Sequence, residues 1–318
     1  MQKAATLTEY RQELKQALDQ NFQRQALDAF AKAYPAGRAK AFAQTDLQEL
    51  IFSIAQIKDQ AVQDLDELFD QFKTRAEAAG VHVHLAATDR EANEIISNIA
   101  RDSRCRNIVK SKSMTAEETL LNHALEEKGL AVTETDLGEW IIQLRNEGPS
   151  HMVMPAIHLS REEVGRLFSQ VTGTDQGTNI ESLVKVARRE LRQRFVDADM
   201  GISGANFAIA QSGTLGLVTN EGNARLVTTL PRVHVALLGL DKLLPSLDEA
   251  LTILKGLPRN ATGQQITSYV TWITGPVECA PGSGGRKEMH VVFLDNGRRA
   301  LAGDPIFSQA LRCLRCGA

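Results

Sequence analysis

The chain has 318 residues, of which 43% are hydrophobic, 24% charged and 5% aromatic; it is too apolar for a disordered polymer and long enough to bury a core without disulfides. Thirty-six Lys and Arg against 39 Asp and Glu leave a formal charge of −3, which gives no basic footprint for a nucleic-acid partner. No apolar run reaches the roughly 18 residues needed to span a bilayer, and the start, MQKAATLTEYRQELKQAL, lacks the apolar stretch of a signal peptide, so the expected location is cytoplasmic.

Residues 1–80 read as a helical region. A first helix is expected from Leu7 to Tyr34, ending before Pro35 and Gly37. A second runs from Leu47, with apolar residues at helical spacing through Phe72, Asp46 as N-cap and Gly80 as stop. From 81 to 303 the pattern becomes α/β. VHVHLA (81–86), NIVKS (107–111) and GLAVTE (129–134) alternate with helices from about Asp89, about Thr115 and over LGEWIIQLRN. That order predicts a largely parallel central sheet covered by helices, with ligands at the carboxyl ends of its strands. A helical stretch follows over about 160–199. FAIAQS, TLGLVTN, ARLVTTLP and VHVALLGL then read as a hairpin-rich β block. SYVTWITG and MHVVFLDN supply two more strands around the glycine loop PGSGGRK. Residues 304–318 form a last helix, capped by Asp304-Pro305 and carrying Cys313 and Cys316 at its far end.

Several groups are candidates for chemistry. Lys110, Ser111, Lys112 and Ser113 follow a strand and precede a helix whose Thr115 and Glu118 have capping-box spacing. Such a loop suits a phosphate or carboxylate, or is an ordinary exposed basic loop. Asp136, in ETDLGEW, either orients a ligand or caps the next helix. His151 and His158 flank a β-like run, where a seven-residue gap puts them on opposite faces unless the chain bends, which argues against a shared metal. Either is a proton carrier at a pocket or a satisfied histidine. Asn206, Thr214, Asn220, Glu221, Asn223 and Arg225 crowd among strands that otherwise look buried, and buried polar groups need partners. A ligand or a polar network is implied, with Glu221 a candidate catalytic carboxylate. Gly282, Ser283, Gly284 and Gly285 with Arg286 and Lys287 suit a phosphate cradle or a hairpin tip. ARRELRQR (187–194) reads as a solvated helix face.

Four cysteines are present. Cys105 and Cys279 are isolated and read as core filler. Cys313 and Cys316 form C-x-x-C, a spacing shared by redox dithiols, half zinc sites and the opening of the C-x2-C-x2-C-x3-C-P run of bacterial [4Fe–4S] proteins. If they open that run, its third cysteine would fall immediately after Ala318, and the expectation is a chain cut short where a ferredoxin-like module begins; the alternative is a natural terminus with two incidental thiols.

Together KSKSMTAEE, ETDLGEWIIQL, PSHMVMPAIH, GISGANFAIA, TNEGNARLVTTLPRVH and ALRCLRCGA resemble the lactate utilisation protein B family of LUD-domain iron–sulfur proteins, in matching order over roughly residues 40–318. The resemblance implies a LUD domain related in fold to the sugar-phosphate isomerase and CoA-transferase superfamily. It also implies a C-terminal module binding two [4Fe–4S] clusters, of which this chain keeps only Cys313 and Cys316 as metal ligands, so the clusters belong to the full-length protein. The implied partners are a cysteine-rich subunit and a second LUD-domain subunit, and the implied role is electron transfer in the oxidation of L-lactate to pyruvate. Gln211 stands where an acidic residue is expected in many relatives. Asn220-Glu221-Gly222 is similar to the glutamate loop of CoA transferases. The alternatives are therefore an autonomous transferase or isomerase acting on a small anion through Glu221, and a pure interaction module docking partners through its N-terminal helices.

Overall fold

The computed structural model describes residues 6–276 and 287–316. Cys279 and the loop Gly282, Ser283, Gly284, Gly285 and Arg286 lie outside the described residues. Among those described, ten strands form two sheets. They are β1 (His82–Ala86), β2 (Asn107–Lys110), β3 (Ala131–Glu134), β4 (Met200–Ser203), β5 (Phe207–Ile209), β6 (Thr214–Thr219), β7 (Val233–Gly239), β8 (Leu243–Leu244), β9 (Tyr269–Ile273) and β10 (Glu288–Leu294).

The larger sheet has the order β1-β10-β7-β4-β2-β3, and every pair in it is parallel. Its centre, β7, is buried along its whole length, as its continuous run VHVALLG requires of a strand covered on both faces. One face packs against the helix Asp89–Asp102 through Ile96, Ile108, Ile202 and Val235. The other receives Phe69 and Phe72 of the helix Leu65–Ala78, whose rings meet Phe293 edge-on at 5.4 and 5.1 Å. The smaller sheet, β8-β5-β6-β9, contains the β5–β6 hairpin and antiparallel β6–β9 pairing.

The parallel, helix-covered sheet agrees with the sequence pattern. Several expectations are corrected. The first helix breaks at Gln20 and its second half, Asn21–Phe42, runs through Pro35. Proline removes one helical hydrogen bond, but Tyr34 donates to the Asn260 carbonyl and Arg38 to Asn260 Oδ1, and these clamps on either side of Pro35 hold the helix. The helix from Leu47 divides at Asp64 into Leu47–Gln63 and Leu65–Ala78, so that its second half can turn onto the sheet. The 160–199 stretch divides into Arg161–Thr172 and Ile180–Val196. Gly173 and Gly177 take positive φ there, and a Cβ on Gly165 would lie 2.2 Å from the Gly177 carbonyl oxygen.

ARLVTTLP is not a strand but lies in the helix Asn223–Thr229, with VHVALLGL in the parallel sheet. The β-branched content of ARLVTTLP is misleading, because Ala224, Val227 and Thr228 are the buried face of one helical turn. That turn is seated on β4 where Gly201 has no side chain; a Cβ there would lie 2.0 Å from the Val227 oxygen. Finally, Ser113, not Thr115, caps Met114–Glu118. Glu118 is drawn away by Arg298, Arg315 and Asn296, which all donate to it. The segment after Asp304 is a 3₁₀ helix, Phe307–Arg312, with Asp304 Oδ1 accepting from the Ile306 and Phe307 amides as a cap should. The helix Leu247–Thr262 has no counterpart among the expected elements.

At the carboxyl end of the sheet Arg298 donates to Asp241 Oδ1 at 2.6 Å and, through both terminal nitrogens, to Glu118 at 2.8 and 3.0 Å. Arg298 and Asp241 are buried, and the two guanidinium contacts hold the Glu118 carboxyl down at about 2 against the opposing effect of its burial. Removing the cation takes charge-assisted hydrogen bonds from both carboxylates, while Lys242 still faces Asp241 and Arg315 still faces Glu118. Arg298→Met is therefore expected to destabilise the fold by about 1.5–3 kcal/mol in denaturant unfolding.

Candidate functional site

A cavity of about 370 Å³ opens where the carboxyl ends of β2 and β4 face the smaller sheet, within the size range of small-molecule sites. Its walls come from five places: Ser111–Ser113 after β2, Gly204–Asn206 after β4, Thr219–Asn223 after β6, Leu257–Thr262 at the end of the helix Leu247–Thr262, and Leu314–Cys316 at the tail. Met152, Val153, Asp136 and Lys242 complete it.

Of the residues picked out from sequence, Ser111, Lys112, Ser113, Asp136, Asn206, Asn220, Glu221, Asn223 and Cys316 line this cavity. Asp136 also does the plainer job, accepting from the Glu139 amide at the N-terminus of Leu137–Leu144. Asn206 Oδ1 accepts from the Val218 amide at 2.8 Å, which leaves its Nδ2 to donate elsewhere. Asn220 is tied to Gln264 at 2.7 Å. Glu221 sits exposed at the rim; partial burial and the nearby Asp136 raise its carboxyl above the ordinary value, with Lys112 opposing.

Other candidates are placed elsewhere. Lys110 is fully buried and forms ion pairs with Glu134 at 2.8 Å and Glu117 at 3.5 Å. Thr214 bonds with Ser212 and Thr274 inside the smaller sheet. Arg225 stacks over Tyr269 at 5.3 Å. The 151–158 segment is a series of bends and turns rather than a strand. In it His151 Nδ1 accepts from the Val153 and Met154 amides, and His158 lies between Ser150 and Glu147. Lys287 donates to the Thr228 and Thr229 carbonyls. Cys105 is buried, and burial pushes its thiol up to about 11, as befits a packing residue. Cys313 is exposed and receives the Arg315 amide at 3.4 Å, while Cys316 receives Asn260 Nδ2 at 3.3 Å.

Two charged cavity residues were missed, Lys242 and Arg315. The signal for the first was available: Asp241-Lys242 follows the most continuous apolar strand in the chain, at its carboxyl end. Arg315 lies between the two cysteines and was read only as spacing.

Lys112 is the cavity's link to a buried acid. Its Nζ lies 3.4 Å from Glu139 Oε1 and donates to the Val153 carbonyl at 3.2 Å. Burial pushes the Glu139 carboxyl from an ordinary 4.5 to about 7; Lys112 opposes the shift, and Glu134 and Glu117 add to it. The folded state therefore holds a proton that the unfolded chain has released, and stability falls as pH rises from about 4.5 to about 7. Glu139→Gln is expected to remove that fall, which for a displacement of this size is worth roughly 3 kcal/mol at most. Urea unfolding of both proteins at pH 5 and pH 8 checks it.

The parallel sheet, the hairpin sheet set against it and the cavity at the strand ends define an α/β protein with an open pocket at its strand ends. The sequence profile of the LUD domain matches residues 69–294, and the chain belongs to that family. It is 41% identical over 264 residues to "Lactate utilization protein B" of Macrococcus caseolyticus (strain JCSC5402), covering 83% of this chain and 55% of that one. It is 39% identical over 307 residues to the protein of the same name in Shouchella clausii (strain KSM-K16), covering 96% and 64%. It is 41% identical over 264 residues to "Uncharacterized electron transport protein YkgF" of Escherichia coli (strain K12), covering 83% and 55%. The chain thus spans 55–64% of the length of these relatives. A crystal structure of a DUF162 family protein from Deinococcus radiodurans aligns with a TM-score of 0.38 at 16% identity, over 72% of this chain and 98% of that one.

Proposed function

We propose that this chain is the LUD-domain part of an iron–sulfur subunit that carries electrons in the cytoplasmic oxidation of L-lactate to pyruvate. The proposed partners are a cysteine-rich subunit and a second LUD-domain subunit. Relatives named for lactate utilisation and for electron transport support the reading. The observation that carries it is the seating of the C-x-x-C segment. Arg312 pairs with Asp59 at 2.6 and 2.7 Å, and Arg315 with Glu118 at 2.8 Å. Lys242 Nζ lies 3.5 Å from the Cys313 carbonyl oxygen, and Cys316 forms part of the cavity wall. The dithiol is thereby fixed beside the ligand-sized space instead of hanging from a free tail.

The donor chemistry suits thiolate ligation in part. Both sulfurs accept N–H hydrogen bonds, as metal-bound thiolates do. No group of three or more His, Cys, Asp or Glu suited to a metal comes together among the described residues. Cys313 and Cys316 would hold one side of a cluster, with the remaining ligands supplied from outside the described residues. When bound, such a cluster supplies one-electron transfer. The chain's own residues do the rest: Arg312 and Arg315 orient the segment, Lys112 and Lys242 set the charge of the adjoining cavity, and Leu257 and Leu314 exclude water from its tail side.

The test is anaerobic reconstitution of the full-length protein with iron and sulfide, read by electron paramagnetic resonance after reduction. A [4Fe–4S] signal is expected, lost or altered in Cys316→Ser; a folded full-length protein that takes up no iron overturns the reading. Group transfer through Glu221 has one observation in its favour, the carboxylate's place on the cavity rim. Glu221→Gln separates the two, because a nucleophilic carboxylate is indispensable to turnover, whereas the cluster spectrum of the electron carrier is expected to be unaltered.

A further inference from the structure

Among the described residues, the charges around the tail side of the cavity do not balance. Asp241 is contacted by Arg298 at 2.6 Å and Lys242 at 2.9 Å, and its backbone carbonyl by the buried Lys58. Glu118 is shared by Arg298 and Arg315, each at 2.8 Å. Four cations, Lys58, Lys242, Arg298 and Arg315, are thus linked to two carboxylates, and Lys242 and Arg315 reach the cavity wall. Burial above all, with the neighbouring Lys242 adding to it, presses Lys58 down to about 8. Lys112 also lines the cavity, with its Nζ 3.4 Å from Glu139, whose carboxyl is pushed up to about 7 by burial.

The remaining wall narrows the ligand. Ser111 and Ser113 are buried hydroxyls at the inner end. Gly204 leaves room beside them that a side chain would fill, since a Cβ there would lie 3.0 Å from Ser113 Oγ. Met114, Leu217, Leu257 and Leu314 add apolar surface. A bare inorganic anion uses none of that surface, whereas a short carbon chain ending in a carboxylate uses both parts.

We propose that the cavity is a binding site for a small organic carboxylate, anchored by Lys112 and walled on one side by Leu314–Arg315–Cys316, so that ligand and Cys316 thiol share a boundary. The wall is built into the fold: Leu314 and Cys316 pack on the main core cluster, and Arg315 is held by Glu118 and by Thr115 Oγ1 at 3.4 Å. The proposal deepens the electron-transfer reading by placing the carboxylate beside the dithiol, but the site itself needs no cluster.

The experiment is alkylation of the metal-free 318-residue chain by iodoacetamide, with Cys313 and Cys316 followed separately by peptide mass spectrometry. Pyruvate, L-lactate and inorganic phosphate are the probes. A bound carboxylate slows Cys316 by the factor one plus ligand concentration over Kd, about tenfold near nine times Kd, and leaves the exposed Cys313 nearly unchanged. Lys112→Ala is expected to abolish the protection and Lys112→Arg to restore part of it, with thermal melting used to verify that each variant is folded. The proposal is overturned if neither carboxylate protects Cys316 at tens of millimolar, if phosphate alone does, or if folded Lys112→Ala is protected like the parent. Loss of protection in a protein whose full-length form still assembles its cluster removes this site and leaves the electron-transfer reading standing. Protection without cluster assembly does the reverse.

Discussion

The arrangement around Arg298 is the constraint on which the rest of the molecule depends. Asn296 and Gly297 take positive φ after β10, which turns the chain sharply and returns the Arg298 guanidinium to the end of β7. Gly239, the last residue of β7, must lack a side chain, because a Cβ would lie 2.1 Å from Asp241 Oδ1 and 2.4 Å from Arg298 Nε. One guanidinium therefore ties the ends of two central strands to Glu118 of the helix after β2. Glu118 in turn receives Arg315 from the tail. Such a buried network adds little net stability over a well-packed apolar equivalent. What it supplies here is position, since its hydrogen bonds are satisfied only when strands, helix and tail meet in one geometry.

That geometry makes the cavity. Parallel strands deliver their following loops to one end of the sheet, and here the loops after β2 and β4 meet the smaller sheet and the helix Leu247–Thr262. The polar residues of the LUD domain that gather there carry charge of both signs: Lys112 is offset by an acid with a raised pKa, and Asp241 is outnumbered by its cations. The tail closes the last side. This brings the C-x-x-C segment beside the cavity, with Leu314, Arg315 and Cys316 in its wall.

Much of this was legible in the sequence because it is local. Alternating β-rich and amphipathic segments reveal the parallel sheet, Asp46, Asp136 and Asp304 cap where their side chains and the following residues say they should, and Gly80 ends its helix with a positive φ. Of the polar residues singled out at 201–234, Asn206, Asn220, Glu221 and Asn223 line the cavity, whereas Thr214 and Arg225 are engaged elsewhere. The misreadings share a cause. Thr115 and Glu118 have the spacing of a capping box, Pro35 that of a helix end and ARLVTTLP the composition of a strand, and in each case a contact from far along the chain overrides the local preference.

The sequence by itself determined the class of sheet, the helix boundaries set by capping, the family, and the presence of a polar strand-end region followed by a C-x-x-C. Each of these is written in neighbouring residues, through hydrogen bonds and hydrophobic periodicity that act within a few positions. Only the tertiary structure decided that Lys110 is spent on Glu134 while Lys112 reaches the cavity, that Lys242 and Arg315 join it, and that Cys316 lies in its wall. The physical reason is that a charge has no fixed role in sequence. Whether it binds a ligand or neutralises a neighbour depends on which opposite charges folding brings within a few ångströms, and on how much water remains between them.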